Sequence, residues 1–515
     1  MSIATELQNL NDNIKTAYAK VTSLGGTAPA NKNMVNMPAA METIREYDIH
    51  TKISGNGQSY APMTFERATP TARTINEPFV PADVTVIDSK ALAYAYDDWS
   101  GGTGERRGVN LNSIVTIESC GMIHFAGGGT DAYPGMGISR GAVKDIGFAN
   151  LETVQSGGLM HAFAYQQVEN ISFPKLTTVK SQSFDHAFYN SSASNVAASF
   201  PELTTLGAGN YSTFLYAFSS PNGSGAGLTS VDFSALETLE RNKNAFQYAF
   251  SDNTALASAD FTSLSSVSGA KAFDHAFYRC SSLTNTSCFS ALEEILATSE
   301  TSGGEFMGCF QNSGLQTVSF PELTTITSTW DGAFNSAFRD CTSLTTASFP
   351  KLTSAPNYCF NTSFRSDTSL TSFSAPLVQS AGSAAFSYTF YGCTALTSID
   401  LTALATITGT NAFSYAFYGC TSLTSVSFPS LTTLFNHSNS GFSYAFSNCT
   451  SLTSVSFPAL TTSSFGSYNS HFSNMLRGCT GVTVHFPAAV QSTIESWSDV
   501  RNGFGGTNTT VLFDL

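Results

Sequence analysis

The chain reads as an α+β repeat, a solenoid of similar rungs with a small N-terminal helical module and a C-terminal cap. Three observations predict this. A nine-residue phrase with apolar residues at offsets 0, 2, 5 and 8 recurs, from Val109-Asn-Leu111-Asn-Ser-Ile114-Val-Thr-Ile117 to Val426-Ser-Phe428-Pro-Ser-Leu431-Thr-Thr-Leu434 and beyond. A pair of Phe residues four apart alternates with it, as in Phe413 and Phe417. A Cys-x-x-Leu phrase joins the two, as in Cys420-Thr-Ser-Leu423. Self-similarity at such a period means stacked units that share one long core.

The nine-residue phrase begins at Val109, Ile146, Ile171, Ala198, Val231, Ala259, Ser287, Val318, Ala347, Phe373, Ile399, Val426, Val455 and Val484, so successive starts lie roughly 25 to 37 residues apart. Offsets 0 and 2 alternate, as in a short strand with one buried face. Pro after the aromatic, as in Phe428-Pro429, stops a hydrogen-bond ladder there. The Leu-Thr-Thr-Leu piece then turns a corner with its apolar residues inward. The Phe spacing of four suits one helical turn with both rings on one face. Such a turn is too short to stand alone, and burial of the rings has to hold it. That role accounts for the 41 Phe. In the third phrase, Cys280, Cys341, Cys393, Cys420, Cys449 and Cys479 share a slot with Asn253, Asn312 and Asp367. A slot shared by Cys and Asn, three before an apolar residue, belongs to a small side chain inside a turn, in contact with backbone.

The ends differ from the repeat. In residues 1–45, Ile3, Leu7, Leu10, Ile14, Ala17 and Val21 form a heptad stripe, and Gly25-Gly26 ends the helix. The stripe is either an amphipathic helix packed on its own chain or a seam for self-association, with Ile3, Leu7, Leu10, Ile14 and Val21 joining a homotrimer. A second short helix starts at Pro38. Residues 46–84, rich in Pro, Gly, Ser and Thr, read as a linker or a loosely ordered strand region. The solenoid spans 85–487. In the cap, 488–515, Val490, Ile494 and Trp497 share a helical face and Val511-Leu512-Phe513 reads as a closing strand. An open solenoid end exposes core and unpaired strand groups, so a cap is required.

Composition narrows the function. Charged residues make up 12% of the 515, and the formal net charge is -14. Nucleic acid, which needs a basic patch, is excluded as a partner. No stretch reaches the ~18–20 apolar residues of a membrane span, so membrane insertion is not expected. The opening Met1-Ser-Ile-Ala-Thr-Glu-Leu-Gln shows neither the basic start nor the apolar run of a secretory signal. Ten Cys in so long a chain are not a disulfide scaffold. Equivalent Cys on successive rungs form a line rather than a tetrahedron, so reduced buried thiols are expected and no metal.

Nothing in the sequence requires chemistry. His186 and His275, each after an Asp, occupy the Tyr position between paired Phe residues, which reads as a polar-tipped ring filling a repeat slot. Gly127-Gly-Gly129 and Gly101-Gly-Thr-Gly104 lack the strand and helix context of a phosphate loop. No catalytic residue and no cofactor is expected. Variation concentrates between the corner and the Phe pair, and insertions at one point of a repeat emerge along one edge. That edge carries Tyr211, Trp330, Asp331, Phe435 and His437, the candidate binding residues. Exposed aromatics among small polar side chains suit a glycan or a protein. The insertion Ala126–Gly141 is a further candidate contact.

The ordered Ala-Phe, Cys-x-x-Leu and Leu-Pro-like segments make residues 85 to 487 resemble the BspA-like leucine-rich repeats of bacterial surface proteins. Phe-Pro often replaces Leu-Pro here, and extra residues precede the Phe pair. The resemblance implies an adhesive role and no substrate. The opening, from Ile3-Ala-Thr-Glu-Leu-Gln through Pro38-Ala-Ala-Met-Glu-Thr-Ile44, is similar to the start of phage and prophage tail proteins of Gram-positive hosts. An adhesive solenoid with no visible export signal is reconciled if it leaves the cell by lysis, as virions do. The expectation is a virion-tail receptor-binding protein for a host-surface glycan or protein, joined to other tail proteins through its N-terminus. The alternatives are a BspA-like adhesin at the bacterial cell surface and a glycan-degrading tail enzyme.

Overall fold

The computed structural model describes residues 53–55, 58–59, 85–87, 107–119, 121–122, 143–166, 168, 170–191, 196–206, 209, 211–221, 227–296, 303–327, 332–435, 441–461, 471–497, 500 and 502–515. The N-terminal module with its stripe lies outside them.

Each rung contributes to parallel hydrogen-bonded ladders that run the length of the stack. The first is made by the starts of the nine-residue phrase. Arg107–Asn110, Val143–Gly147, Asn170–Ser172, Val196–Ser199, Leu228–Asp232 and Ser258–Asp260 form one parallel sheet. Thr317–Ser319, Thr346–Ser348, Ser372–Ser374 and Ser398–Asp400 form the next. Register follows the apolar pattern: Val318 pairs with Ala347, Ala347 with Phe373, and Phe373 with Ile399. A one-residue slip would turn every buried side chain outward.

The ladder is interrupted at Ser287–Phe289, a 3-10 turn where this rung carries one extra residue between Asn285 and the core ring of Phe289. Thr286 compensates. Its hydroxyl accepts from the Ser319 N–H at 2.9 Å and donates to the Ser319 carbonyl at 3.0 Å, standing in for backbone.

The corner phrase does turn, with Leu431 N–H bonded to the Phe428 carbonyl. Its last two residues then build a second parallel ladder, for example Thr205–Leu206, Thr238–Leu239, Ser266–Ser268, Glu294–Leu296 and Thr325–Ile326. In these pairs the Thr faces outward and the aliphatic residue is buried.

The Phe-pair segment corrects the α+β expectation: it is not a helical turn. Its N–H groups alternate between two partners. Those of Phe413, Tyr415, Phe417 and Gly419 donate to Gly441, Ser443, Ala445 and Ser447 of the next rung at 2.7–2.9 Å. Those of Ser414, Ala416, Tyr418 and Cys420 donate three residues back within the rung at 3.1–3.3 Å. Every fourth residue is left-handed: Asn411, Tyr415 and Gly419 have φ of 56°, 56° and 73°. The segment is a ribbon of linked four-residue turns, and its period of four places both rings on one side as well as a helix would. A side chain in this region costs about 1–2 kcal/mol, and the cross-rung hydrogen bonds offset that cost. Among the described residues α-helix occurs only in the cap, at Gln491–Ile494 and Val500, so the architecture is a parallel β-solenoid.

The three aromatic positions of the rung stack into three columns inside. Phe386, Phe413 and Phe442 follow one another at 4.9 and 5.1 Å, Phe390, Phe417 and Phe446 at 5.3 and 5.1 Å. The corner rings Phe428 and Phe457 stack at 5.6 Å and meet the pair columns edge-on, as Phe413 meets Phe428 at 69°. Offset stacking along columns and edge contacts between them satisfy the ring quadrupoles in both directions.

The ends are closed. Ile53–Gly55 pairs antiparallel with Gln58–Ser59 and with Val86–Ile87, so part of 46–84, read as a linker or a loosely ordered strand region, adds strands to the second ladder. At the other end Thr510–Leu512 pairs parallel with Thr483–His485 as the expected closing strand. Val490, Ile494, Trp497 and Phe504 are buried beneath it.

Candidate binding face

The ribbon places one side chain per rung, the left-handed residue between the two Phe, on the outer side. Across rungs these side chains align. His161, His186, Tyr216, Tyr248 and His275 form a continuous stack with ring centroids 4.7, 4.9, 4.8 and 4.8 Å apart. The expectation that His186 and His275 fill a Tyr slot is met. Gly308 then breaks the row. A Cβ there would fall 2.5 Å from the His275 ring, which covers the glycine. Ser336 and Thr362 follow, hydroxyl to hydroxyl at 2.6 Å. Tyr388, Tyr415 and Tyr444 resume the stack at 4.8 and 4.7 Å. Beside it Tyr391 and Tyr418 stack at 4.6 Å, with the Arg365 guanidinium 4.9 Å over Tyr391.

Within a stack each ring's faces are covered by its neighbours. Solvent meets the ring edges, phenol hydroxyls and imidazole nitrogens. Burial, then the charge of nearby Asp274, pushes the Tyr248 phenol up to about 12, and burial raises Tyr216 and Tyr189 in the same direction. These hydroxyls stay protonated and can both donate and accept. Asp185 Oδ1 lies 2.5 Å from His186 Nδ1, and Asp274 holds His275 in the same way. Asp274 also accepts from Gln247 Nε2 at 2.8 Å. The two carboxylates fix the rings' rotation within the stack.

The sequence-predicted edge is only partly described. Tyr211 is half exposed and begins the ribbon that carries Tyr216, bridging in parallel to Lys243. Phe435 is half-buried and packs in part against the core. Trp330, Asp331, His437 and the insertion Ala126–Gly141 lie outside the described residues. The aromatic row was missed as a surface, although its signal was present in the recurring Phe-Ser-Tyr-Ala-Phe. Its rings were read as filling the repeat, when in fact they face out.

On the inner side of the ribbon sit the thiols. All nine described cysteines are buried and free. Those of the shared slot each donate to the carbonyl of the second Phe one rung back, at 2.9–3.2 Å. Asn253 does the same with Nδ2 to Phe218 at 2.8 Å, as expected of a small side chain meeting backbone. One assignment changes. The slot in its rung belongs to Ser313, while Asn312 takes the left-handed place with φ 59°. That rung is one residue short, and Gly314 absorbs the deletion: a Cβ there would lie 1.8 Å from the Ser281 carbonyl oxygen.

Fold and surface together define a parallel β-solenoid whose outer faces are set by its repeat. Residues 226–330, 274–389, 306–433 and 385–477 match the family described as "BspA type Leucine rich repeat region (6 copies)". Residues 226–477 thus match BspA-type leucine-rich repeats. Similar solved structures include a leucine-rich-repeat protein from Eubacterium ventriosum, with 20% identity, 74% of this chain and 84% of that one covered, and a TM-score of 0.30. The pneumococcal vaccine antigen PcpA has 14% identity over 84% and 85%, with a TM-score of 0.27. The T. pallidum leucine-rich-repeat protein has 19% identity over 43% and 77%, with a TM-score of 0.24. No curated protein matches the chain.

Proposed function

We propose that the chain is a non-catalytic adhesion protein whose solenoid presents a rigid recognition surface to a cell envelope, and more narrowly that it is the receptor-binding protein of a phage or prophage tail. The observation that carries the adhesive reading is the aligned outer row of aromatic and polar side chains on BspA-type repeats. Repeat proteins commonly recognise partners across such extended surfaces. The tail assignment is supported by the likeness of the first 45 residues to tail-protein openings and by the heptad stripe, which suits attachment and a shared seam. Several copies on one particle would raise avidity when their geometry lets them engage together.

A cell-surface adhesin is the second reading, favoured by the repeat type alone. Immunodetection on purified particles and on washed cell envelopes separates the two. Signal on particles supports the tail protein; signal confined to envelopes supports the adhesin. Turnover of host wall glycan by the purified chain would overturn the non-catalytic reading.

A further inference from the structure

We infer that the two aromatic stacks of the turn ribbon, rather than the strand ladders, bind a linear neutral glycan lying along the solenoid axis. This rests on the adhesion reading above and narrows it to one face and one ligand class.

The geometry supplies the first argument. The exposed groups repeat at 4.7–4.9 Å in both stacks, with one equivalent position per rung. A ligand that also repeats along its length can use several such positions at once. A linear polymer of sugars has that property, and a folded protein does not.

The chemistry supplies the second. Phenol hydroxyls that remain protonated, and the imidazole nitrogens that Asp185 and Asp274 do not engage, offer the mixed donors and acceptors that sugar hydroxyls require. The ring edges add apolar contact. Carboxylates beside the first stack and a net charge of -14 disfavour an acidic polymer. Of neutral and acidic glycans, the neutral one is favoured.

Rigidity supplies the third. Every left-handed residue of the row has its own N–H bonded to the next rung, as Tyr216 to Gln247 and Tyr415 to Ser443. Little freedom remains to be lost on binding, which favours affinity. The gap at Gly308, Ser336 and Thr362 divides the row into two segments.

The test is titration of the full chain with soluble neutral oligosaccharides of graded length, followed by calorimetry. The expected result is affinity that rises with length. Tyr216→Asn with Tyr248→Asn, and separately Tyr415→Asn with Tyr444→Asn, should each weaken binding about tenfold. Asn is chosen because Asn474 holds the equivalent place natively with φ 52°, so the ribbon accepts it. Retained thermal transitions verify folding. Ser372→Ala with Ser398→Ala on the strand face should bind like the parent. If no oligosaccharide binds, or if both Tyr variants bind like the parent, the inference is overturned. Should the chain still adhere to intact cells in that case, the adhesion reading stands and only this one fails. Should it adhere to none, the adhesion reading fails as well.

Discussion

The thiol of Cys420 donates its hydrogen to the carbonyl oxygen of Phe390, one rung back, at 3.1 Å. Cys449 repeats this with Phe417 at 2.9 Å and Cys479 with Phe446 at 3.1 Å. Each of these carbonyls also accepts the N–H three residues on in its own rung, as Phe390 does from Cys393 at 3.0 Å, so the thiol fills the second acceptor position. Asn253 makes the same bond to Phe218, so the slot accepts either donor.

It follows that Cys420→Val, which loses this second bond, should destabilise by about 0.5–1.5 kcal/mol, whereas Cys420→Ser should cost less. Urea midpoints measure both. Burial also pushes the Cys420 thiol well up, so little thiolate exists at ordinary pH. Labelling of the native thiols should be slow and should accelerate on unfolding.

One rung reverses the usual order of sizes. Phe373 stands at the strand start where others carry Val, Ile or Ala, and Ala375 stands at the corner where others carry Phe. The Phe373 ring packs 5.7 Å from Phe364 and 5.1 Å from Phe390, supplying the volume that Ala375 lacks. Phe373→Val alone should therefore leave a cavity and cost about 2–4 kcal/mol. Phe373→Val with Ala375→Phe should recover most of the loss, since total volume is restored. A double-mutant cycle measured by thermal unfolding reads the coupling. Additive losses would refute the compensation.

Glu305 occupies an inward slot that neighbouring rungs fill with Ala272 and Ala333. Its Oε2 has no hydrogen-bond partner, and burial pushes its carboxyl from 4.5 up to about 7. The folded chain thus holds this proton more tightly than the unfolded chain. The stability linked to it is full below about 4.5 and is lost as pH rises to about 7, on the order of 3 kcal/mol in all. Buried Asp367 shifts in the same direction and reinforces the trend. Glu305→Gln should raise stability at about pH 8 and flatten its dependence between about pH 5 and pH 8. An unchanged slope in denaturant midpoints would contradict this.

The N-terminal stripe predicts assembly. Leu10→Asp would bury an unpaired charge in a shared seam and should convert an oligomer to monomers. Sedimentation showing a monomeric parent would remove the seam.

Much of the rung was readable because burial imposes periodicity. Offsets 0, 2, 5 and 8 located the first strand and the corner, whose last two residues prove to form a second strand, and Val511-Leu512-Phe513 announced the closing strand. The ribbon was misread for a definable reason. A period of four fits a helix and a chain of turns alike, and the difference lies in φ at every fourth residue. Gly392 and Gly419 advertise the left-handed region, but Tyr415, Lys271 and Arg279 occupy it too, held there by cross-rung bonds. No single rung reveals such bonds. The same blindness hid the outer aromatic row, which exists only when rungs are stacked.

The central claim is that the outer turn face of the solenoid makes the contact with the cell envelope. Side-chain oxidation footprinting of the full chain, free and bound to intact target cells, tests it most directly. The account predicts protection of Tyr216, Tyr248, Tyr415 and Tyr444, with exposed Leu512 of the closing strand oxidised equally in both states. Protection confined to Leu512, with the four Tyr unprotected, would contradict it.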